Sequence, residues 1–489
     1  MTGGLLQFIP SSYEDLYLVL DPEISFFKAL YKRHSNFSVE TNEEMFENTL
    51  KFDTYTKCKI SKKGDLISNV CLLLTLDSLN DYGFDLIDAS EKHYESNSHN
   101  CSCKKCLVEK MKEIKVFGWI NSIGHAIIDY YDLKIGGRLI DKQYGEWLEI
   151  WTEITQTSEK KIAYNEMVGK TDPPSFTADK FSDSLDLIIP LNFWFCRNVG
   201  LSLPCVSLYR EEIEIGFKLK QFNDCWVTNT FNVRPNLRTD KDTIIQGSLL
   251  VDYIYLDFDE RHKFYNEEQS YLIEQIGRDE FTFPASMDLV NADMTLNYCT
   301  KEIIWVIQNN NVIKNPSCYN KPTINGYPLG NDWFNFTDNV SRKVNKIKDS
   351  FYKATILING KERFDKRKAN YFRLYQPYNY HTGKPLFNNI YIYSFALRPE
   401  EHQPTGQFPF RVFDNTKLYI QFKNKTKNQL EKTPFHIENE KVILKQSIPT
   451  QDDKILINQS SPLTKTAKIY NVYYNIFNVK CGQGSIYIF

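Results

Sequence analysis

His99, Cys101, Cys103 and Cys106 bring one imidazole and three thiols into a short run, and these donors, with the Cys-x-x-Cys spacing of Cys103 and Cys106, suit zinc. Structural zinc usually draws two ligand pairs from separated elements. This cluster supplies one, so it reads first as a loop of reduced thiols, and no metal is assigned to it. Gly169-Lys170-Thr171 is the second half of a phosphate-binding loop, but the upstream glycine position falls at Tyr164-Asn165. A solvated turn ahead of Asp172-Pro173-Pro174 is the expectation there. Leu256-Asp-Phe-Asp-Glu-Arg-His262 gathers carboxylates that would suit a cation or a proton exchange; the plainer expectation is an exposed strand end on which Arg261 pairs locally. The basic run Tyr31-Lys-Arg-His34 is short and reads as a polar contact within or between subunits rather than a nucleic-acid grip. No Gly-x-Ser-x-Gly elbow and no His-Glu-x-x-His occurs. No residue is therefore expected to be catalytic, and no cofactor is expected.

The elements that would carry these residues are strands. Thr56-Lys-Cys-Lys-Ile60, Ile213-Glu-Ile-Gly-Phe-Lys-Leu219 and Lys417-Leu-Tyr-Ile-Gln-Phe422 alternate apolar and polar residues with period two, as half-buried strands do. Lys63-Gly64-Asp65, Gly136-Gly137 and Asn359-Gly360 supply residues that tolerate positive φ, which predicts a hairpin at each. Aromatics make up 14 % of the chain while long amphipathic patterns are scarce, which favours an all-β fold. At 489 residues the chain has room for more than one core. Lys and Arg total 59 against 61 Asp and Glu, so no global basic field exists to hold nucleic acid, and direct specific nucleic-acid binding is not expected. The N-terminus shows no basic segment followed by an apolar run, and the 11 cysteines are mostly isolated in apolar stretches. A protein outside the secretory pathway, without a disulfide framework, is expected.

An internal repeat organises the chain. Lys134-Ile-Gly-Gly-Arg-Leu-Ile-Asp-Lys142 has a counterpart in Leu357-Ile-Asn-Gly-Lys-Glu-Arg-Phe-Asp-Lys366, each with an aromatic six residues after the Asp, at Trp147 and Tyr371. Leu187 to Phe195 matches Ile390 to Leu397, and Leu249 to Leu256 matches Ile469 to Ile476. Three matches in one order predict two copies of one all-β unit. An arm over 1–22, a first unit over 23–265 and a second over 266–489 follow, with a break as early as 222 as the competing boundary because the stretch from Asn223 to Asp242 is polar. Stretches 81–113, 341–348 and 424–432 read as inserted loops or short helices. Trp147, Trp151, Trp194 and Tyr253 are the expected core of the units or of the seam between them.

Gly3-Gly-Leu-Leu-Gln7, Asp21-Pro-Glu-Ile-Ser-Phe-Phe-Lys28 and Tyr31-Lys-Arg-His-Ser-Asn-Phe37 resemble the opening of the major capsid proteins of nucleocytoplasmic large DNA viruses. The resemblance continues through Ile135-Gly-Gly-Arg-Leu-Ile-Asp-Lys-Gln-Tyr-Gly-Glu-Trp147, Pro190 to Pro204, Val251-Asp-Tyr-Ile-Tyr-Leu-Asp257, and Ser394-Phe-Ala-Leu-Arg-Pro-Glu-Glu-His-Gln-Pro-Thr-Gly406. Its flavour is that of the algal-virus, mimivirus-like and iridovirus-like branches. The loop at Cys101 to Cys106 departs from the family's pattern. What the resemblance implies is two tandem eight-stranded antiparallel jelly rolls, a homotrimer of pseudo-hexameric outline, and an icosahedral virion shell assembled in the host cytoplasm or a viral factory. It also implies neighbouring capsomers and minor capsid, penton and scaffold proteins as partners, above an internal membrane. The residues leave open a divergent capsid paralogue at vertices or minor positions, and a carbohydrate-binding β-sandwich module.

Overall fold

The computed structural model describes residues 35–79, 84–86, 117–171, 183–228, 233–235, 244–296, 298–313, 331–337, 349–383, 388–422, 435–438, 441–444 and 464–487. Among other, shorter paired segments, eight strands frame the first half: β1 (Phe37–Met45), β2 (Tyr55–Ile60), β3 (Leu66–Leu76), β4 (Ile128–Ile135), β5 (Arg138–Tyr144), β6 (Leu185–Pro190), β7 (Ile213–Leu219) and β8 (Ile244–Leu256). They form two antiparallel sheets, β1-β8-β3-β6 and β2-β7-β4-β5. Eight frame the second half in the same way: β9 (Gln269–Pro284), β10 (Leu289–Asp293), β11 (Cys299–Asn309), β12 (Lys353–Ile358), β13 (Lys361–Glu362), β14 (Tyr391–Ser394), β15 (Thr416–Gln421) and β16 (Thr464–Lys480). Their sheets are β9-β16-β11-β14 and β10-β15-β12-β13. Each strand of the first set thus has the same neighbours as the strand eight places later. Both sets are jelly rolls, two sheets face to face with crossing connections.

Alternation places one face of each strand inside. In β3, Val70, Leu72 and Leu74 are buried while Asn69 is exposed. They meet Tyr131 and Leu133 of β4, Ile215 and Phe217 of β7, and Leu249, Val251 and Tyr253 of β8. The second roll repeats this with Ile303, Trp305, Ile356, Leu418, Ile420 and Ile469.

The three sequence matches fall on equivalent elements: the β4-β5 and β12-β13 hairpins, β6 and β14, and β8 and β16. Gly136 and Gly137 (φ +57° and +76°) and Asn359 and Gly360 (φ +48° and +78°) turn the two hairpins with both central residues left-handed, the geometry whose twist suits paired strands. The hairpin expected at Lys63-Gly64-Asp65 is not formed. β2 and β3 lie in different sheets, and Gly64 is needed because a Cβ there would lie 2.8 Å from that of Tyr253. Helices α1 (Gly145–Thr155) and α2 (Ser158–Met167) follow β5, and α3 (Phe258–Asn266) joins β8 to β9. Most of the stretches read as insertions, and the arm over 1–22, lie outside the described residues.

Candidate functional site

Buried charges and large aromatics gather where the two rolls meet. The first roll contributes the end of β5, the start of α1 and the loop after β6; the second contributes β9 and the outward face of β16. Trp147 of α1 is fully buried with its ring 5.4 Å from that of Tyr470, and Trp194 lies 5.6 Å from Phe477. Trp151 is partly buried behind them, tilted against Trp147 and under the Arg197 guanidinium. Tyr253 lies in the first roll's own core, donating its hydroxyl to the Ser61 carbonyl at 2.6 Å and to Glu44 at 3.0 Å.

Most buried charges along the seam are paired, as burial requires, while the Trp147 indole N–H is buried there without a hydrogen-bond partner. Lys468 Nζ reaches Glu146 Oε2 at 2.8 Å and Gln308 Oε1 at 2.8 Å, and the Tyr470 hydroxyl donates to the same carboxylate at 2.8 Å. Burial opposes ionisation of Glu146, but the charges of Lys468 and Arg278 outweigh it and hold the carboxyl below the usual carboxylate range. Gln275 Nε2 of β9 donates to the Ile140 carbonyl at 2.6 Å. Glu274 takes Arg197 on one oxygen at 2.8 Å and the fully buried Lys301 on the other. Asp141 has no such cation in contact, and burial pushes its carboxyl up to about 6.

Two further clusters lie away from the seam. Glu149 of α1 accepts from Ser122 at 2.9 Å, meets His125 Nδ1 at 2.8 Å, and pairs with Lys170 at 2.6 Å; Lys170 also pairs with Glu153. Burial opposes both charges, yet their attraction dominates, so Glu149 is held far down and Lys170 well up. In the second roll His381 bridges Glu302 at 3.0 Å and Glu400 at 3.1 Å. Its burial is outweighed by Glu302, and the imidazole is raised to about 9.

The sequence candidates fare unequally. The turn at Lys170 is not solvated: Gly169 is left-handed (φ +66°) and turns Lys170 inward to the α1 carboxylates, which occupy its ammonium and leave no phosphate cradle. The carboxylates after Leu256 are not a strand end. Asp257 caps α3, accepting from the Glu260 amide at 2.9 Å, and Arg261 reaches across to Asp65 at 3.0 Å. His99, Cys101, Cys103, Cys106 and Tyr31 to His34 lie outside the described residues. Among the described residues no group of three or more His, Cys, Asp or Glu is placed to hold a metal ion. Sequence reasoning passed over the α1 carboxylates, though Glu146, Glu149 and Glu153, three and four apart, occupy one stripe of a helix otherwise rich in Trp, Leu and Ile. That spacing was the available signal.

A model described as the major capsid protein N-terminus matches residues 25–257, and one described as the large eukaryotic DNA virus major capsid protein matches residues 260–484. The major capsid protein of Pyramimonas orientalis virus is 31 % identical, over 86 % of this chain and 92 % of that protein. The chain belongs to the major capsid protein family of large eukaryotic DNA viruses. The major capsid protein of Phaeocystis pouchetii virus is 28 % identical over 99 % of both chains. In fold, this family member aligns with a chain of the quasi-atomic model of the PBCV-1 virus capsid, with a TM-score of 0.67, 21 % identity, and 94 % and 99 % of the two chains covered. It is a structural protein of the virion capsid.

Proposed function

We propose that the chain is a non-enzymatic shell subunit that trimerises into a pseudo-hexameric capsomer and tiles an icosahedral capsid. The observation that carries this is the strand-for-strand repeat of one jelly-roll topology: three copies of a tandem pair present six similar wedges, so a closed threefold ring fills a position with six neighbours. We divide the chain into an arm over 1–22, a first roll over 23–265 and a second over 266–489, with Trp147, Trp151 and Trp194 joining the rolls and Tyr253 filling the first. Neighbouring capsomers, minor capsid, penton and scaffold proteins are the partners in this reading, with a membrane beneath the shell. The buried ion clusters are built from charges paired with one another, which supports reading them as structural. Negative-stain imaging of the natively produced chain tests the reading. Threefold particles of hexagonal outline are expected, and compact particles lacking that outline would overturn it. Deleting residues 2–20 should leave capsomers intact and impair shell formation; normal shells from the deletion would remove the arm from assembly.

A further inference from the structure

The outward faces of the two leading sheets have the same strands but different surroundings. In the second roll, Tyr470 and Val472 of β16, Ile304 and Val306 of β11 and Ile392 of β14 are buried in the same cluster as the first roll's core. In the first roll the equivalent face carries Leu250 of β8, Cys71 and Leu73 of β3, Ile188 of β6 and Met45 of β1. Strand register brings these together: Leu250 pairs with Cys71, Leu73 with Ile188, and Met45 with Ser248 opposite Leu73. Met45 is 71 % exposed and Ile188 39 %. Among the described residues, nothing covers this face as the first roll covers the second.

The covering surface is duplicated as well. In α1, Trp147 and Trp151 pack together with rings 5.4 Å apart, and Trp147 lies against Tyr470 of β16. Their repeat counterparts after β13 are Tyr371 and Tyr375, stacked at 5.3 Å, yet there Leu374 is 52 % and Tyr375 56 % exposed. The edges are complementary in net charge. β1 exposes Glu40 and Glu43, while the segment from β13 to the helical turn exposes Lys361, Arg363, Arg367 and Lys368 against Glu362 and Asp365. In the chain's own seam the corresponding edges, β9 and β5, meet through the Gln275 to Ile140 hydrogen bond.

We infer that the apolar outward face of β1-β8-β3-β6 is covered by the helical turn Tyr371–Tyr375 of a second copy of this chain, repeating between chains the contact that joins the two rolls within one. The contact is head-to-tail: each copy offers one uncovered face and one uncovered cover, and such an interface closes as a ring when the rotation permits. This rests on the trimer reading above and identifies its surfaces.

Ile188→Glu and Leu374→Glu, each on an exposed position, test it by light-scattering mass. The parent is expected at three times 57.4 kDa, and each variant at one third of the parent with an unchanged circular dichroism spectrum. A parent trimer whose variants are also trimeric would overturn the assignment and leave the trimer reading standing; a monomeric parent would overturn both. If a variant fails to fold, the Leu250→Cys, Tyr375→Cys double variant treated with a short bis-maleimide decides. Covalent dimer and trimer bands absent from both single variants are expected, and a trimeric double variant without them would overturn the inference.

Discussion

The two jelly rolls share a strand order and differ in how much of their leading sheet is buried. β8 alternates buried and half-buried residues from Leu249 to Tyr253, as a strand with one open face does, whereas β16 is buried without interruption from Lys465 to Asn475. One chain fold therefore occurs in two environments, and the difference is made by the first roll's Trp147, Trp194 and Glu146 pressing on the second. The same topology at both places shows that the roll is specified by its own alternation and turns. The seam is specified separately, by the aromatics and charges that only one roll has buried.

The largest expected contrast is between ion pairs of the same chemistry. Lys468→Met strands Glu146 in the seam and should cost about 3–5 kcal/mol, whereas Lys366→Met, which breaks an exposed 3.3 Å pair with Glu362, should leave stability essentially unchanged because solvent screens the pair. Urea denaturation of both variants checks this, and similar losses would mean the seam is not a buried interface. The aromatic counterparts provide the next contrast. Measured in the Leu374→Glu background, Trp147→Ala should cost about 3–5 kcal/mol and Tyr375→Ala within about 0.5 kcal/mol; equal costs would break the distinction between a covered and an uncovered cover.

A pH-dependent difference distinguishes the rolls more gently. His381 of the second roll is raised to about 9 by Glu302 and Glu400 against its burial, from an unfolded value of about 6.5. Its contribution to stability is complete below about pH 6.5 and is lost as pH rises through 9. Melting temperature should fall across that window in the parent and less in His381→Gln; parallel profiles would contradict the assignment. The smallest effect concerns likeness rather than difference. Gly137 and Gly360 are both left-handed with open space where a Cβ would lie, so Gly137→Ala and Gly360→Ala should each cost about 1 kcal/mol through backbone strain alone. Clearly unequal costs would show that the hairpins are not equivalent.

Much of this was legible in the residues. Period-two alternation and the Gly136-Gly137 and Asn359-Gly360 turns act locally, so the strands and both hairpins could be read directly, and the repeated order revealed the second roll. Lys63-Gly64-Asp65 misled because a glycine that permits a turn and one that admits a neighbour's Cβ look alike in sequence. Lys170 misled because its partners, Glu149 and Glu153, lie on a helix whose approach is set by tertiary packing. Arg261 likewise has more than one carboxylate nearby in sequence, and the fold chose Asp65. Which face of which sheet is covered depends on how one roll sits against the other, and alternation alone carries no record of that.

The most direct test of the central claim is the solution mass of the natively produced chain over a range of concentrations. A stable species of three 57.4 kDa chains is expected, with the outward face of the first roll protected from hydrogen exchange as the second roll's is. A monomer that persists at high concentration, with that face unprotected, would contradict the reading of this family member as a trimeric shell subunit.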